Sequence, residues 1–153
     1  MRSALVTLFC ALGLAVSGGT GTRADDKADV DKELKKFHGV WTFASVEAGG
    51  KKAPADDLKG LTVTFAGDKY TVKKGDEVIQ VGTQKLDPSK SPKTIDVKLI
   101  EGLNKGAVML GIYEINGDTL KVCFDESGKK RPTEFQSPAG SATFVNVHKR
   151  VKK

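Results

Sequence analysis

Residues Met109–Phe135 read MLGIYEINGDTLKVCFDESGKKRPTEF, and the apolar alternation on either side of Asn116-Gly117 decides the fold. Asn and Gly accept positive φ cheaply, so the pair predicts a two-residue type I′ turn joining two antiparallel strands. A turn centred there places Ile115 opposite Asp118 and Tyr113 opposite Leu120. One face of the hairpin then collects Met109, Gly111, Tyr113, Ile115, Leu120, Val122 and Phe124. The other carries Glu114, Thr119, Lys121 and Asp125, with Leu110, Ile112 and Cys123 among them. A one-residue slip would mix the two sets, so pattern and turn together specify a half-buried pair.

Upstream of the hairpin the period stays at two from Gly39 onward. Trp41–Val46 reads as a first strand, stopped by Gly49-Gly50 and Pro54. Leu61, Val63 and Phe65 alternate with threonines; Gly67-Asp68 then turns the chain into Tyr70 and Val72. Gly75-Asp76 leads into Val78–Thr83, and Pro88 and Pro92 bound a connection to Ile95, Val97 and Leu99. Beyond the hairpin, a polar loop from Glu126 to Ser141 precedes a last strand, Ala142–Arg150. These make eight strands, most joined by short turns, with no helix expected between any two. Parallel pairing needs long crossovers, so the expected fold is all-β: an antiparallel up-and-down barrel with one short N-terminal helix. A two-sheet sandwich is the alternative architecture. Residues 25–37, DDKADVDKELKKF, supply the helix, with Val30, Leu34 and Phe37 on one face and aspartates at its start.

The remaining N-terminal residues read differently. Met1-Arg2, an apolar run from Ala4 to Val16 and small residues after it form the pattern of a secretory leader over residues 1–24. Thr22-Arg23-Ala24 places cleavage after Ala24; a site after Ser17 and a retained anchor are the alternatives. The apolar run is too short to span a bilayer, so no membrane span is expected once the leader is removed. Removal also takes Arg2 and Arg23, leaving 23 Lys and Arg against 19 Asp and Glu, a formal charge of +4 instead of +6. Residues 25–153 remain as a single domain with an exported, periplasmic or extracellular, address. Its lysines are scattered rather than clustered with stacking aromatics, which argues against nucleic acid as a partner. Only Cys123 survives removal, so no internal disulfide is possible.

Catalytic and metal chemistry find little to stand on. The two histidines, His38 and His148, lie at opposite ends of the chain, and neither has close ligand-type neighbours in sequence. No nucleophile elbow, Cys-His pattern, phosphate loop or dinucleotide glycine motif occurs. The expectation is therefore no enzyme activity, no metal and no cofactor. The loop Arg131-Pro132-Thr133-Glu134-Phe135 admits two readings. Arg131 could hold an anionic headgroup at a barrel mouth, or Pro132 and Phe135 could close the loop onto the core.

Gly39-Val40-Trp41, where the helix meets the first strand, resembles the Gly-x-Trp signature of lipocalins. Arg150 stands where lipocalins place an arginine over that tryptophan, so Trp41 and Arg150 are expected to stack and close one end. A wider set is similar to one family over nearly the whole domain: Gly39-Val40-Trp41, Gly67–Val72, Leu110–Tyr113, Gly117–Leu120, Cys123-Phe124 and Arg131–Phe135. That family is the uncharacterised lipocalin-like secreted domain abundant in planctomycete bacteria. The resemblance implies an exported bacterial barrel and transfers no catalytic or ligand residues.

The expected role is a binding protein that holds an apolar or amphipathic small molecule inside the barrel. Tyr113, Gly111, Phe124 and Arg131 are the candidate contacts. Gly111 and Gly82 contribute no side-chain volume to the wall, leaving room for a guest unless Tyr113 or Phe124 fills it. The competing role is a solid-core, inhibitor-like module that contacts another envelope protein through its outer surface.

Overall fold

The computed structural model describes residues 24–153, so the leader expected over residues 1–24 lies outside the described residues except for Ala24. Helix α1 (Ala24–Phe37) carries Asp25 and Asp26 in its first turn and Lys35 and Lys36 in its last, the charges its dipole favours at each end. Phe37 and Glu33 are its buried residues, and Leu34 packs against the core.

Nine strands follow: β1 (Gly39–Ala48), β2 (Lys51–Lys52), β3 (Leu61–Ala66), β4 (Lys69–Lys74), β5 (Glu77–Asp87), β6 (Lys93–Gly102), β7 (Val108–Asn116), β8 (Thr119–Asp125) and β9 (Thr143–Arg150). β2 only extends the Gly49-Gly50 turn back along β1, pairing Lys52 with Glu47. The other eight pair antiparallel with their neighbours in the chain, and β9 pairs back onto β1. The result is a closed, lipocalin-like up-and-down barrel, and closure removes the free edges an open sheet would leave. Shifts in pairing at Phe43/Ser45, Val72/Lys73 and Val81/Gly82 bend the wall where it must curve.

Two local expectations are corrected. A short helix, α2 (Ala55–Leu58), stands between β2 and β3 where none was expected; Pro54, with φ of −57°, leads into it. The central hairpin also turns one residue later than Asn116-Gly117 suggests. Asn116 pairs with Thr119, Ile115 with Leu120 and Tyr113 with Val122, so the loop is Gly117-Asp118. Gly117 has φ of +57° and Asp118 is not in the positive-φ region, the pattern of a type II′ turn. Such a turn needs one residue at positive φ, and the glycine supplies it without placing Asn116 there. Gly67-Asp68 and Gly75-Asp76 join β3 to β4 and β4 to β5 in the same positions, with glycine φ of +61° and +60°. The correction moves Tyr113 from Leu120 to Val122, an even step, so both faces of the hairpin keep their members.

The inward set read from the alternation holds together. Val63, Phe65, Tyr70, Ile95, Val97, Leu99, Tyr113, Leu120, Val122 and Phe124 are core residues, Val72 packs against them and Leu61 lines the interior. The outer face of β7 and β8 has its own cover. Ile112 and Cys123 are buried there, and the Cys123 thiol donates to the Gln136 carbonyl at 3.6 Å across the β8–β9 connection.

One end of the barrel is sealed by α1. Phe37 meets Phe65 and Tyr113 edge-on, at 5.2 and 5.1 Å between ring centroids. Trp41 donates its indole N–H to the Phe37 carbonyl at 2.8 Å. The Arg150 guanidinium lies over the indole, 4.1 Å from the ring centroid, and donates to the carbonyls of His38 and Lys36. Asp118, in the β7–β8 turn, completes the set by accepting from Arg150 Nε at 3.1 Å.

Candidate functional site: the barrel interior

Strand alternation points one apolar residue in two at the barrel axis, and the inward side chains leave a cavity of about 660 Å³. Its apolar wall comes from Phe43 of β1, Leu61, Val63 and Phe65 of β3, Tyr70 and Val72 of β4, and Ile95, Val97 and Leu99 of β6. Met109 of β7, Val122 and Phe124 of β8, and Phe144 of β9 complete it. Asn104, Lys105 and Glu126 are solvent-exposed lining residues, and they lie in connections at the end opposite α1. That end is the mouth. The volume falls within the range of about 300–1,000 Å³ common to small-molecule sites.

Four polar side chains interrupt this wall. Gln80 donates to the Tyr70 hydroxyl at 2.9 Å, and Gln84 donates its Nε2 to the Gly67 carbonyl at 3.3 Å. Asn146 and His148 occupy successive inward positions of β9, with the His148 ring edge-on to Phe43 at 4.4 Å between centroids. Gln84 Oε1, Asn146 Oδ1 and His148 Nδ1 are buried and have no hydrogen-bond partner among the described residues. Burial pushes the His148 imidazole down to about 4, so it is neutral at neutral pH.

The sequence-derived site residues scatter. Phe124 lines the cavity and meets Phe144 at 5.6 Å between ring centroids. Gly111 is part of the wall, but the space beside it is taken: a Cβ there would lie 2.5 Å from the Phe124 ring. Gly82 is filled in the same way by the Tyr70 ring. The room expected at both glycines therefore belongs to neighbouring aromatic rings and not to a guest. Tyr113 does not line the cavity. It is buried at the sealed end and donates its hydroxyl to Glu33 at 3.0 Å.

Arg131 is not at the mouth. It pairs with Asp96 at 2.6 Å and donates to the Gly111 carbonyl at 2.7 Å, bracing the wall near β6 and β7. Its partners are the wall itself, and Phe135 of the same loop is half-buried, with Lys121 over its ring at 5.6 Å. Trp41 and Arg150 stack as described above, beneath the cavity.

Glu33 was not singled out from the sequence. Burial would raise its carboxyl, but hydrogen bonds from Lys36, Lys93 and Tyr113 outweigh that and hold it below the usual range. The Cys123 thiol is pushed up by burial, which keeps it protonated and inert. Among the described residues, no group of three His, Cys, Asp or Glu side chains is placed to hold a metal ion, and no helix is long and apolar enough to cross a membrane.

No family model, curated protein or solved structure matches this chain.

Proposed function

We propose that the barrel is a binding module, exported from the cell, that carries an apolar or amphipathic small molecule in its interior. The observation that carries this reading is the cavity of about 660 Å³, walled by aliphatic and aromatic side chains and reaching solvent at the end away from α1. A solid-core module would fill that space, as Tyr70 and Phe124 fill the gaps at Gly82 and Gly111. Binding rather than catalysis is supported by the state of the candidate groups: a buried, protonated thiol at Cys123 and a buried, neutral imidazole at His148. Export rests on the leader pattern of residues 1–24, and the barrel fold agrees with the lipocalin-like secreted family that the sequence motifs resemble.

Titration with N-phenyl-naphthylamine, whose fluorescence rises in apolar surroundings, tests the binding role. Saturable binding is expected. Val97→Phe, which adds a ring at a buried cavity-lining position, should weaken it at least about tenfold without unfolding the barrel. No saturable binding, or equal binding by the filled variant, would reject the cavity as the site. N-terminal sequencing of protein recovered from outside the cytoplasm should begin near Asp25.

A further inference from the structure

The distribution of polar atoms inside the barrel narrows the class of guest. Two of the atoms without partners belong to side chains that are almost wholly buried: Gln84 is 5% exposed and His148 4%. Asn146 stands between His148 and the mouth on the same strand, two residues along. The depth follows from pairing. Trp41 faces Arg150 at the floor, and Phe43 faces His148 one inward step above it. Gln84 is equally deep, since its side chain reaches the Gly67 carbonyl in the turn at the sealed end. That bond also orients the amide: Nε2 is used on the wall, so Oε1 is the atom left over.

An amide oxygen accepts hydrogen bonds and cannot donate them. A buried polar atom left unpaired costs free energy, so a guest that supplies the missing partner gains by it. Charge is arranged differently. The charged lining residues are Lys105 and Glu126, both exposed at the mouth, and no cationic side chain lines the deep part among the described residues. A carboxylate or phosphate sent to the floor would meet the oxygens of Gln84 and Asn146, with the Asn146 amide N–H groups and one imidazole N–H as donors and no cation to balance its charge. Burying an anion without a compensating charge is expensive.

We infer that the guest is a neutral amphipath that enters polar end first, its hydroxyl or N–H group held by Gln84, Asn146 and His148, and that anionic lipids of similar length are rejected. The inference rests on the cavity reading above and adds to it the polarity and orientation of the ligand. The aliphatic and aromatic wall then covers the apolar body, and the mouth charges stay in water.

Competition on the full chain tests this. With N-phenyl-naphthylamine bound, decanol and decanoate are added separately near neutral pH, where decanoate is ionised. Decanol should displace the probe at a concentration about tenfold or more lower than decanoate, and decylamide should behave like decanol. The margin is what one well-made hydrogen bond plus avoidance of a buried charge produces. Asn146→Leu and His148→Leu, which remove no hydrogen bond that holds the wall, should reduce the preference to about twofold or less, each displacement being read against that variant's own probe affinity. The ligand series on the unaltered protein decides the matter even if a variant folds poorly. Equal displacement by alcohol and carboxylate, or a preference for carboxylate, overturns the inference while leaving the cavity as a binding site. Absence of saturable probe binding overturns both.

Discussion

Single side chains at the sealed end of the barrel set its response to acid and to mutation. His148 is neutral when folded and is held down to about 4, against an ordinary value of 6.5. The unfolded chain therefore takes up that proton first, and stability falls as pH drops from 6.5 toward 4, by up to about 3 kcal/mol. Glu33 acts in the same direction lower down. Its folded carboxyl is held below 4.5, so the stability it contributes is present above that value and is lost as pH falls through the folded one. Urea midpoints measured across this range should decline in two stages, and His148→Leu should remove the upper stage alone. At the floor, Arg150 combines a stack on Trp41 with three hydrogen-bond acceptors, His38 O, Lys36 O and Asp118 Oδ1. Arg150→Ala should lower stability by about 1–2 kcal/mol, the screened surface position limiting the loss. Arg150→Lys should recover only part, because an ammonium cannot lie flat on the indole and reach two carbonyls at once. An unchanged denaturation midpoint in Arg150→Ala would remove the stack from the account of closure.

At the level of strands, the two wall glycines separate close packing from open space. The nearest atoms to a Cβ on Gly82 would be those of the Tyr70 side chain, at 2.6 Å. One on Gly111 would meet the Phe124 ring at 2.5 Å and the Cys123 carbonyl oxygen at 2.7 Å. A side chain can swing aside, whereas a backbone carbonyl in a paired strand is held by its ladder. Gly111→Ala should therefore destabilise by about 2–3 kcal/mol and Gly82→Ala by about 1 kcal/mol. Displacing the Tyr70 ring pushes it into the cavity, so Gly82→Ala should also weaken probe binding, which Tyr70→Leu would restore. Thermal unfolding and probe titration on the same samples separate the two effects. The hairpin loops make a related point: glycine followed by aspartate recurs at 67, 75 and 117, and in each the glycine alone takes positive φ.

For the molecule as a whole, the helix is what gives the barrel a floor. Phe37 is fully buried between Phe65 and Tyr113, and its carbonyl holds the Trp41 indole. Phe37→Ala should cost about 3–5 kcal/mol and leave a gap connecting the cavity to the underside. Calorimetry checks the first consequence. The second appears as faster quenching of bound probe fluorescence by iodide, with an unchanged quenching rate counting against α1 as a seal.

Sequence alone determined the strand count of the closed sheet, its antiparallel order, the leading helix and the inward apolar set. These follow from period-two alternation and glycine turns, which are local properties of the chain. The Trp41–Arg150 stack was legible too, through the resemblance of Gly39-Val40-Trp41 and Arg150 to lipocalins, and it implied more than was drawn from it. With Arg150 on the inward side, His148, Asn146 and Phe144 must share that face, so the polar column of β9 was available from parity. Gln84 was available the same way, since it stands two residues beyond Gly82 on the same face of β5, but its bond to the Gly67 carbonyl, which leaves Oε1 over, was not. Only the tertiary structure decided that Arg131 braces the outer wall, that Tyr113 answers Glu33, and that Tyr70 and Phe124 close the gaps at the glycines. It also decided that a cavity remains. Volume inside a closed barrel is the difference between the space its wall encloses and the side chains sent into it, and no stretch of the chain carries that difference on its own.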